Sequence, residues 1–563
     1  MRTSLFLCLI MIFSDLRGQG NLQIYQIDPL KKVLKDRQYF VDESDTIRVA
    51  RGEYATLQFV LKSPEFVENL QADVPAIHGE GISLAVSQVG FVGYVELGRL
   101  TPSPGRDQII SPSGYYPDPI FTDTTLNLVP NEPQPVWITV PIPVDTKPGI
   151  YHGTLEVSAS IHGQDERLSR GFTIRVYPPV IENTSLWVTN WIHHTPESLS
   201  FLNNGVNVPF FSTRYWELIT LFAERLKGTG QNVIMLPVQK LVQYKIDGDR
   251  YQFDFTNLDK SIAIYQKAGV MKRLAGSHIG YRMGDWYSQF GVEVPVKSGN
   301  KVVTEILPLS DERSENFLRQ FIPELLAYLK SRGLGEHYLQ HVADEPIPEN
   351  VSSYKAIATV VKKYMPDTKI IDATIGSDLV GSIDVWVPVL DFLHKEYDFY
   401  KERQEAGDEV WFYTCLGPQG NYANRFIEQP LIFPRLIHWI NYKYGITGYL
   451  HWGFTAWHMP YRSDVYKDVT GMFADGNVLP GGDSYLVYPT FNKLYSSLRL
   501  EAMRDGINDY ELLQQLKNID PDMADSLING MIYNFDHYDV DVRSFRNKRK
   551  QLLERLSAAA LSF

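Results

Sequence analysis

Two acids stand side by side at Asp344 and Glu345, inside the run HYLQHVADEP from His337 to Pro346. An apolar, aromatic-rich stretch (Tyr338, Leu339, Val342) leads into them. Pro346 follows, and proline has no N–H to give to a strand ladder. Asp-Glu-Pro is also ordinary turn composition, so the pair gains weight only from its surroundings. Adjacency itself constrains the chemistry. Neighbouring Cα atoms lie about 3.8 Å apart, and along a strand successive side chains point to opposite faces. The two acids can share one site only where the strand ends or twists, as Pro346 implies. Two carboxylates that flank a scissile glycosidic bond usually come from different strands. A consecutive pair instead suits substrate-assisted cleavage, in which the 2-acetamido oxygen of a sugar attacks its own anomeric carbon. One carboxylate then steadies the amide, and the other acid protonates the departing oxygen.

A buried strand that delivers acids to its C-terminal tip is the arrangement of an α/β barrel. Beyond Tyr177-Pro178-Pro179 the pattern becomes strand, helix, strand, helix. Eight candidate strands run Leu186 to Trp191, Asn232 to Leu236, Met271 to Gly276, His337 to Val342, Lys369 to Ala373, Val385 to Val387, Val410 to Tyr413 and Gly448 to Trp452. Between them Tyr215 to Lys227, Leu258 to Ala268, Glu312 to Arg332, Ser352 to Tyr364 and Pro434 to Tyr444 carry apolar residues at three- and four-residue steps. The expectation is a (β/α)8 TIM-like barrel over residues 179–489.

If so, all eight strand ends face one opening. They supply Asn190, Trp191, His193 and His194, then Pro237, Ser277 and His278, and then the acid pair. Asp372, Thr374, Trp386, Tyr413, His451 and Trp452 follow, with Trp457 in the loop beyond. Rings cover the apolar faces of a pyranose, and polar side chains read its hydroxyls. The candidate substrate contacts are Asn190, Trp191, His278, His341, Trp386, Tyr413, His451, Trp452 and Trp457. Each alone also fits a core or loop role. No HExxH or comparable spacing accompanies His193-His194, so neither metal nor other cofactor is expected.

The rest of the chain bounds this reading. With 563 residues and 44% hydrophobic residues, a large core and several domains are possible. The net charge of −12 argues against a nucleic-acid partner. Met1 to Phe13 reads as an export signal, with Arg2 ahead of an apolar core too short to span a bilayer and cleavage near Gly18 to Gly20. Nothing else is long and apolar enough to form an integral membrane segment. Export to the periplasm or beyond is therefore expected. Cys8 leaves with residues 1–20, so Cys415, in WFYTC, has no partner for a disulfide and reads as a core residue. Residues 21–178 carry repeated alternating runs with turn signals between them, the pattern of a β-sandwich. Their insert, Leu100 to Asp123, is rich in Pro, Gly, Ser and Tyr and could reach a neighbouring domain. Residues 490–563 read as a small, mostly helical region, with periodic stretches at Tyr495 to Arg504, Asp509 to Leu516 and Val542 to Leu561.

Taken together, HVADEP (His341 to Pro346), YQFDF (Tyr251 to Phe255), GSH (Gly276 to His278), DVWVP (Asp384 to Pro388) and NRF (Asn424 to Phe426) resemble glycoside hydrolase family 123. LHWGF (Leu450 to Phe454), GGDSYLVYP (Gly481 to Pro489) and SLRLEAMRDGINDYE (Ser497 to Glu511) resemble the C-terminal part of such proteins, and the N-terminal GYYPDP and KPGIYHG (Lys147 to Gly153) also fit. Thr455 departs from the asparagine expected after LHWGF. The resemblance implies an N-terminal β-sandwich, a (β/α)8 barrel and a C-terminal region. It also implies exo-acting β-N-acetylgalactosaminidase activity with retention through an oxazoline. Asp344 would position the acetamido group, and Glu345 would be the general acid and then the base. The substrate implied is a glycan or glycolipid headgroup ending in β-linked N-acetylgalactosamine. A glycosidase for another 2-acetamido or sulfated amino sugar, or a non-catalytic glycan-binding protein, remains an alternative on the residues alone.

Overall fold

The computed structural model describes residues 22–560 apart from 44, 123, 460–463, 468 and 474–475, so the expected export signal lies outside the described residues. Eight parallel strands form its centre: Trp187–Asn190, Val233–Leu236, Arg273–Gly276, Tyr338–Gln340, Lys369–Thr374, Val385–Pro388, Glu409–Thr414 and Gly448–His451. From the second onward each pairs with the next, and the eighth returns to the first. The first and second share no ladder. Asn232 bridges them: its N–H donates to Val188 O at 3.2 Å, its Oδ1 accepts from Val188 N at 2.9 Å and its Nδ2 donates to Leu186 O at 2.9 Å. The side-chain amide thus does the work of a missing peptide group, and the barrel is nearly closed.

Both faces of these strands are buried, which explains their Val, Ile, Leu and aromatic content. Val233, Ala275, Leu339, Ile371, Val385, Val387, Trp411 and Leu450 fill the interior. The opposite faces pack against helices Thr213–Leu226, Thr256–Ala268, Glu312–Ser331, Val351–Tyr364 and Ile432–Lys443. The strand-helix alternation skips one crossing, where the sequence named no periodic stretch either. Between the fifth and sixth strands, Ile375 to Asp384 makes turns and no helix; the stretch is short and carries Gly376 and Gly381, the latter at φ +81°.

The N-terminal part contributes five strands to one sheet and seven to a second that faces it, with Leu57, Phe59, Val136, Leu155 and Ile174 between them. The segment after the barrel is not separate from it. Tyr488–Thr490 and Lys493–Ser497 extend the first sheet beside Tyr115–Thr122. The insert at Leu100 does reach the barrel: Thr101 N and Oγ1 donate to Glu428 Oε1 at 3.0 and 2.7 Å, and Ile109 N donates to Glu428 O at 2.8 Å.

Where two C-terminal helices were expected, one runs Leu498–Ile519. Gly506 lies between the two expected stretches. It permits close packing, because a Cβ there would lie 2.7 Å from Arg435 O on the neighbouring helix. Arg499 of this helix meets Asp118 of GYYPDP at 2.8 Å with both side chains fully buried, and Tyr488 OH donates to the same carboxylate at 2.7 Å. Asp509 accepts from Arg435 at 2.6 Å, Arg549 at 2.8 Å and Trp439 Nε1 at 3.1 Å. Those arginines hold its carboxyl down at about 2 despite burial. The charged motifs near both chain ends are therefore inter-element clamps. Among the described residues no helix is long and apolar enough to cross a membrane.

Candidate active site

The fourth barrel strand stops at Gln340, and the chain bends at Asp344. Glu345 then adopts φ +45°, a left-handed conformation that a non-glycine residue rarely takes and that costs on the order of 1–3 kcal/mol. This turn resolves the geometric problem of two consecutive acids. An extended backbone would send their side chains apart. Here both charges act on the same neighbours, Tyr413, Cys415 and Arg282.

Asp372 anchors the segment just before the acids. It belongs to the fifth strand and is fully buried on the side away from the barrel interior, beneath helix Val351–Tyr364. Its Oδ2 accepts from Val342 N at 2.9 Å and Tyr354 OH at 2.6 Å, and its Oδ1 lies 2.9 Å from His341 Nδ1. Burial pushes its carboxyl up to about 7, against the lowering effects of His278 and these donors. His278 lies between two carboxyls. Its Nε2 stands 3.7 Å from Asp372 Oδ1 and 3.9 Å from Asp344 Oδ1, too far for a hydrogen bond to either, and it is buried without a hydrogen-bond partner among the described residues. Burial holds the ring neutral, with His278 and His341 both down at about 3.

His278, His341 and Asp372 are spaced within cation-binding reach, their ligand atoms all within 4.8 Å of one another. The donor set fits an ion poorly. Asp372 and His341 already spend their atoms on each other, on Val342 and on Tyr354, so an ion would have to displace existing hydrogen bonds.

The two acids are recessed but wet. Asp344 keeps 47% of its side-chain surface accessible, yet protein walls surround it. This desolvation raises its pKa, opposed by Arg282 and reinforced by Asp372. Burial raises Glu345 as well, and the neighbouring Asp344 charge adds to it. Tyr413 OH donates to Glu345 Oε1 and, with Arg282, pulls the other way. Tyr413 itself stays a phenol, since burial and the Glu345 charge push its pKa far up. Arg282 also donates Nη2 to Glu345 O at 2.8 Å, fixing the strained residue from behind. A pair of unlike acids with raised affinities for protons is suited to one proton donor and one charged partner at neutral pH.

The other expected contacts divide into two groups. Trp191, half-buried, packs edge-on against His278 and His341 with centroids 5.7 and 5.5 Å away, and its buried Nε1 has no hydrogen-bond partner among the described residues. Tyr413 meets Glu345 directly, whereas Trp452 packs edge-on against His193 with its Nε1 donating to Asp483 Oδ2 at 3.0 Å. His341 is 1% exposed and bound to Asp372, so it supports the wall without facing a ligand. Asn190 is buried among Gln231 Oε1 at 3.0 Å and Arg425 Nη1 at 2.6 Å. His451 is buried too: its Nδ1 accepts from Gly453 N at 2.9 Å, so its Nε2 donates to Asp483 Oδ1 at 3.0 Å.

Trp386 and Trp457 are taken up by packing within the fold. Trp386 faces outward from its strand onto Phe399 and Tyr400 and donates to Asp408 at 3.0 Å, and Trp457 packs on Phe201 and Phe222 with Nε1 on Val487 O at 2.8 Å. Of the other strand-end residues, His193 Nε2 sits 3.1 Å from Trp452 O and His194 Nε2 sits 2.8 Å from Tyr265 OH. Cys415 is half-buried near the acids, and its thiol is pushed far up by burial and by Asp483, Glu345 and Asp344, which leaves it a poor nucleophile. Thr455, the departure noted in the sequence, accepts His193 N–H on Oγ1 at 2.9 Å. Gly482, in the GGDS motif, has φ +81°, and a Cβ there would meet the Arg499 guanidinium at 2.6 Å.

Sequence reasoning missed Arg282. It lies on an extra strand, Gly280–Arg282, paired with the hairpin Phe290–Ser298 and Lys301–Leu307.

The chain matches the family model described as glycoside hydrolase 123, catalytic domain, over residues 195–516, and the glycoside hydrolase 123 N-terminal domain over residues 32–159. A search of curated proteins found no similar sequence. Among solved structures, a family 123 glycoside hydrolase from Clostridium perfringens, studied for glycolipid glycan hydrolysis, aligns with TM-score 0.72 at 16% identity, covering 96% of this chain and 99% of that one. A putative β-galactosidase from Bacteroides fragilis aligns with TM-score 0.30 at 10% identity over 87% of this chain and 60% of that one. A family 20 exo-β-N-acetylglucosaminidase from Vibrio harveyi aligns with TM-score 0.23 at 7% identity over 73% and 84%. The last two are too distant to inform the site.

Proposed function

The chain belongs to glycoside hydrolase family 123, and from that premise we propose that it is an exported, retaining exo-β-N-acetylgalactosaminidase that uses its substrate's own amide as nucleophile. The observation that carries this reading is the left-handed Glu345, which turns two consecutive acids toward shared neighbours. In the first step Glu345 gives its proton to the glycosidic oxygen as the C1–O bond breaks. The acetamido oxygen forms the new bond to C1, and Asp344 accepts the amide N–H and balances the positive charge on the resulting oxazolinium. In the second step the Glu345 carboxylate takes a proton from water, whose oxygen attacks C1 from the face the aglycone left. The amide re-forms, and configuration is retained. Tyr413 holds the Glu345 carboxylate between these steps.

The proposed substrate is a glycan or glycolipid headgroup with terminal β-linked N-acetylgalactosamine. Its chemistry matches the glycolipid glycan hydrolysis for which the Clostridium perfringens protein was studied. The test is a panel of aryl β-glycosides of N-acetylgalactosamine, N-acetylglucosamine and galactose. The first should be hydrolysed best and the last scarcely at all. Glu345→Gln and Asp344→Asn should each lower kcat/KM by about 10²–10⁴-fold with folding intact. Unchanged rates in both variants would remove the mechanism. Preference for N-acetylglucosamine would move the substrate and keep the chemistry.

A further inference from the structure

The loop from Met283 to Gln289 joins strand Gly280–Arg282 to strand Phe290–Ser298. It carries three large apolar side chains well out in solvent: Met283 at 43% exposure, Trp286 at 42% and Tyr287 at 63%. Scattered exposed aromatics are ordinary, but a cluster on one rim loop calls for an occupant. This loop is firmly tied. Asp285 Oδ1 accepts from Tyr287 N at 3.1 Å and Ser288 Oγ at 2.9 Å. Trp286 O accepts from Arg282 Nε at 2.9 Å and from Asn350 Nδ2 at 3.3 Å, and Gln289 Nε2 donates to Glu349 O at 2.5 Å. Glu349 and Asn350 belong to the segment that follows Glu345. Arg282 completes the unit: its guanidinium lies 3.9 Å from the Trp286 ring centroid while its Nη2 holds Glu345 O at 2.8 Å. The two rings are thus built onto the same scaffold as the acid.

We propose that Trp286 and Tyr287 form a leaving-group subsite that takes the neutral pyranose on the aglycone side of the cleaved bond. The inference rests on Glu345 being the proton donor, since the donor must lie against the departing oxygen and its immediate rim must face the departing sugar. Aromatic faces receive the apolar C–H face of a pyranose, while Arg282 covers part of the Trp286 ring from within. Stacking rings on a rigid loop hold such a sugar at little ordering cost. Binding energy collected there, remote from the reacting carbon, lowers the barrier by orienting the bond at Glu345.

The experiment compares wild type with Trp286→Ala and Tyr287→Ala in the full chain. The readout is the ratio of kcat/KM for β-N-acetylgalactosaminyl-galactose to that for methyl β-N-acetylgalactosaminide, which places no ring in the subsite. The ratio should fall about ten- to a hundredfold in each variant, the range for loss of a well-packed apolar contact, and Trp286→Phe should restore most of it. An unchanged ratio, with both substrates losing rate equally, would mean that Trp286 acts by supporting Arg282, and would overturn the subsite. A second arm needs no hydrolysis: lactose binding followed by calorimetry should be detectable in wild type and weakened at least tenfold in Tyr287→Ala. Equal lactose affinity in the variant, or none in wild type, overturns the subsite. Failure of wild type to cleave either 2-acetamido sugar, with lactose binding intact, counts against the catalytic reading alone. Tight binding of lipid vesicles that depends on both rings and not on sugar would assign the rings to a membrane surface and overturn the subsite.

Discussion

Removing one oxygen atom, in Tyr413→Phe, should move the pH profile without dismantling the site. Tyr413 is 4% exposed and its ring fills the barrel interior beside Trp411, so phenylalanine keeps the packing. What disappears is the O–H that donates to Glu345 Oε1. That bond favours the ionised carboxylate, so its loss raises a Glu345 pKa already lifted by burial and by Asp344. A hydrogen bond to a charged group is worth about 1.5–3 kcal/mol, and 1.36 kcal/mol is one pKa unit, so the upper bound is about 1–2 units. Water reaches part of the site and takes over some of the lost stabilisation, which leaves about 0.5–1 unit. Asp344 and Glu345 titrate as a pair. The alkaline limb of kcat/KM reports the last proton, which this account puts on the leaving-group acid. That limb should therefore shift upward in Tyr413→Phe, measured with an aryl β-N-acetylgalactosaminide between pH 4 and 9. A limb that stays put, or moves down, would refute the placing of the catalytic proton on Glu345.

Two further outcomes test the surroundings. Burial raises the Asp344 pKa above that of an ordinary aspartate, so the folded state holds a proton that the unfolded chain releases, and its contribution to stability falls as pH rises through that window. Asp344→Asn should therefore melt at a higher temperature than wild type at pH 8, with the gain shrinking toward pH 4; a gain that grows on acidification would contradict the sign. Arg499→Met leaves Asp118 buried without its partner, which should cost about 3–5 kcal/mol of stability by denaturant titration, and a loss under 1 kcal/mol would mean that water reaches the carboxylate.

The barrel was legible because each of its strands is a short apolar run between polar turns. The acids were legible because Pro346 must end such a run. Residue parity was the neglected signal. Val385 and Val387 face the interior, so Trp386 between them must face the helices. The same parity puts Asp372, between Ile371 and Ala373, outside the barrel interior, where it grips the catalytic segment from behind. Arg282 and the Trp286 loop were hidden because strand-end counting stops at Gly276, while the chain adds an antiparallel hairpin before the next helix. The closing contact through Asn232 and the fully buried Arg499–Asp118 pair link residues far apart in sequence, which no local pattern reveals.

The central claim is that the sugar's own amide attacks C1. Successive fluorination of the acetamido methyl group weakens the amide oxygen as a nucleophile while barely changing its size. Measured with aryl β-N-acetylgalactosaminides bearing zero to three fluorines, kcat/KM should fall steeply at each step. A flat series would mean that a group on the protein attacks instead.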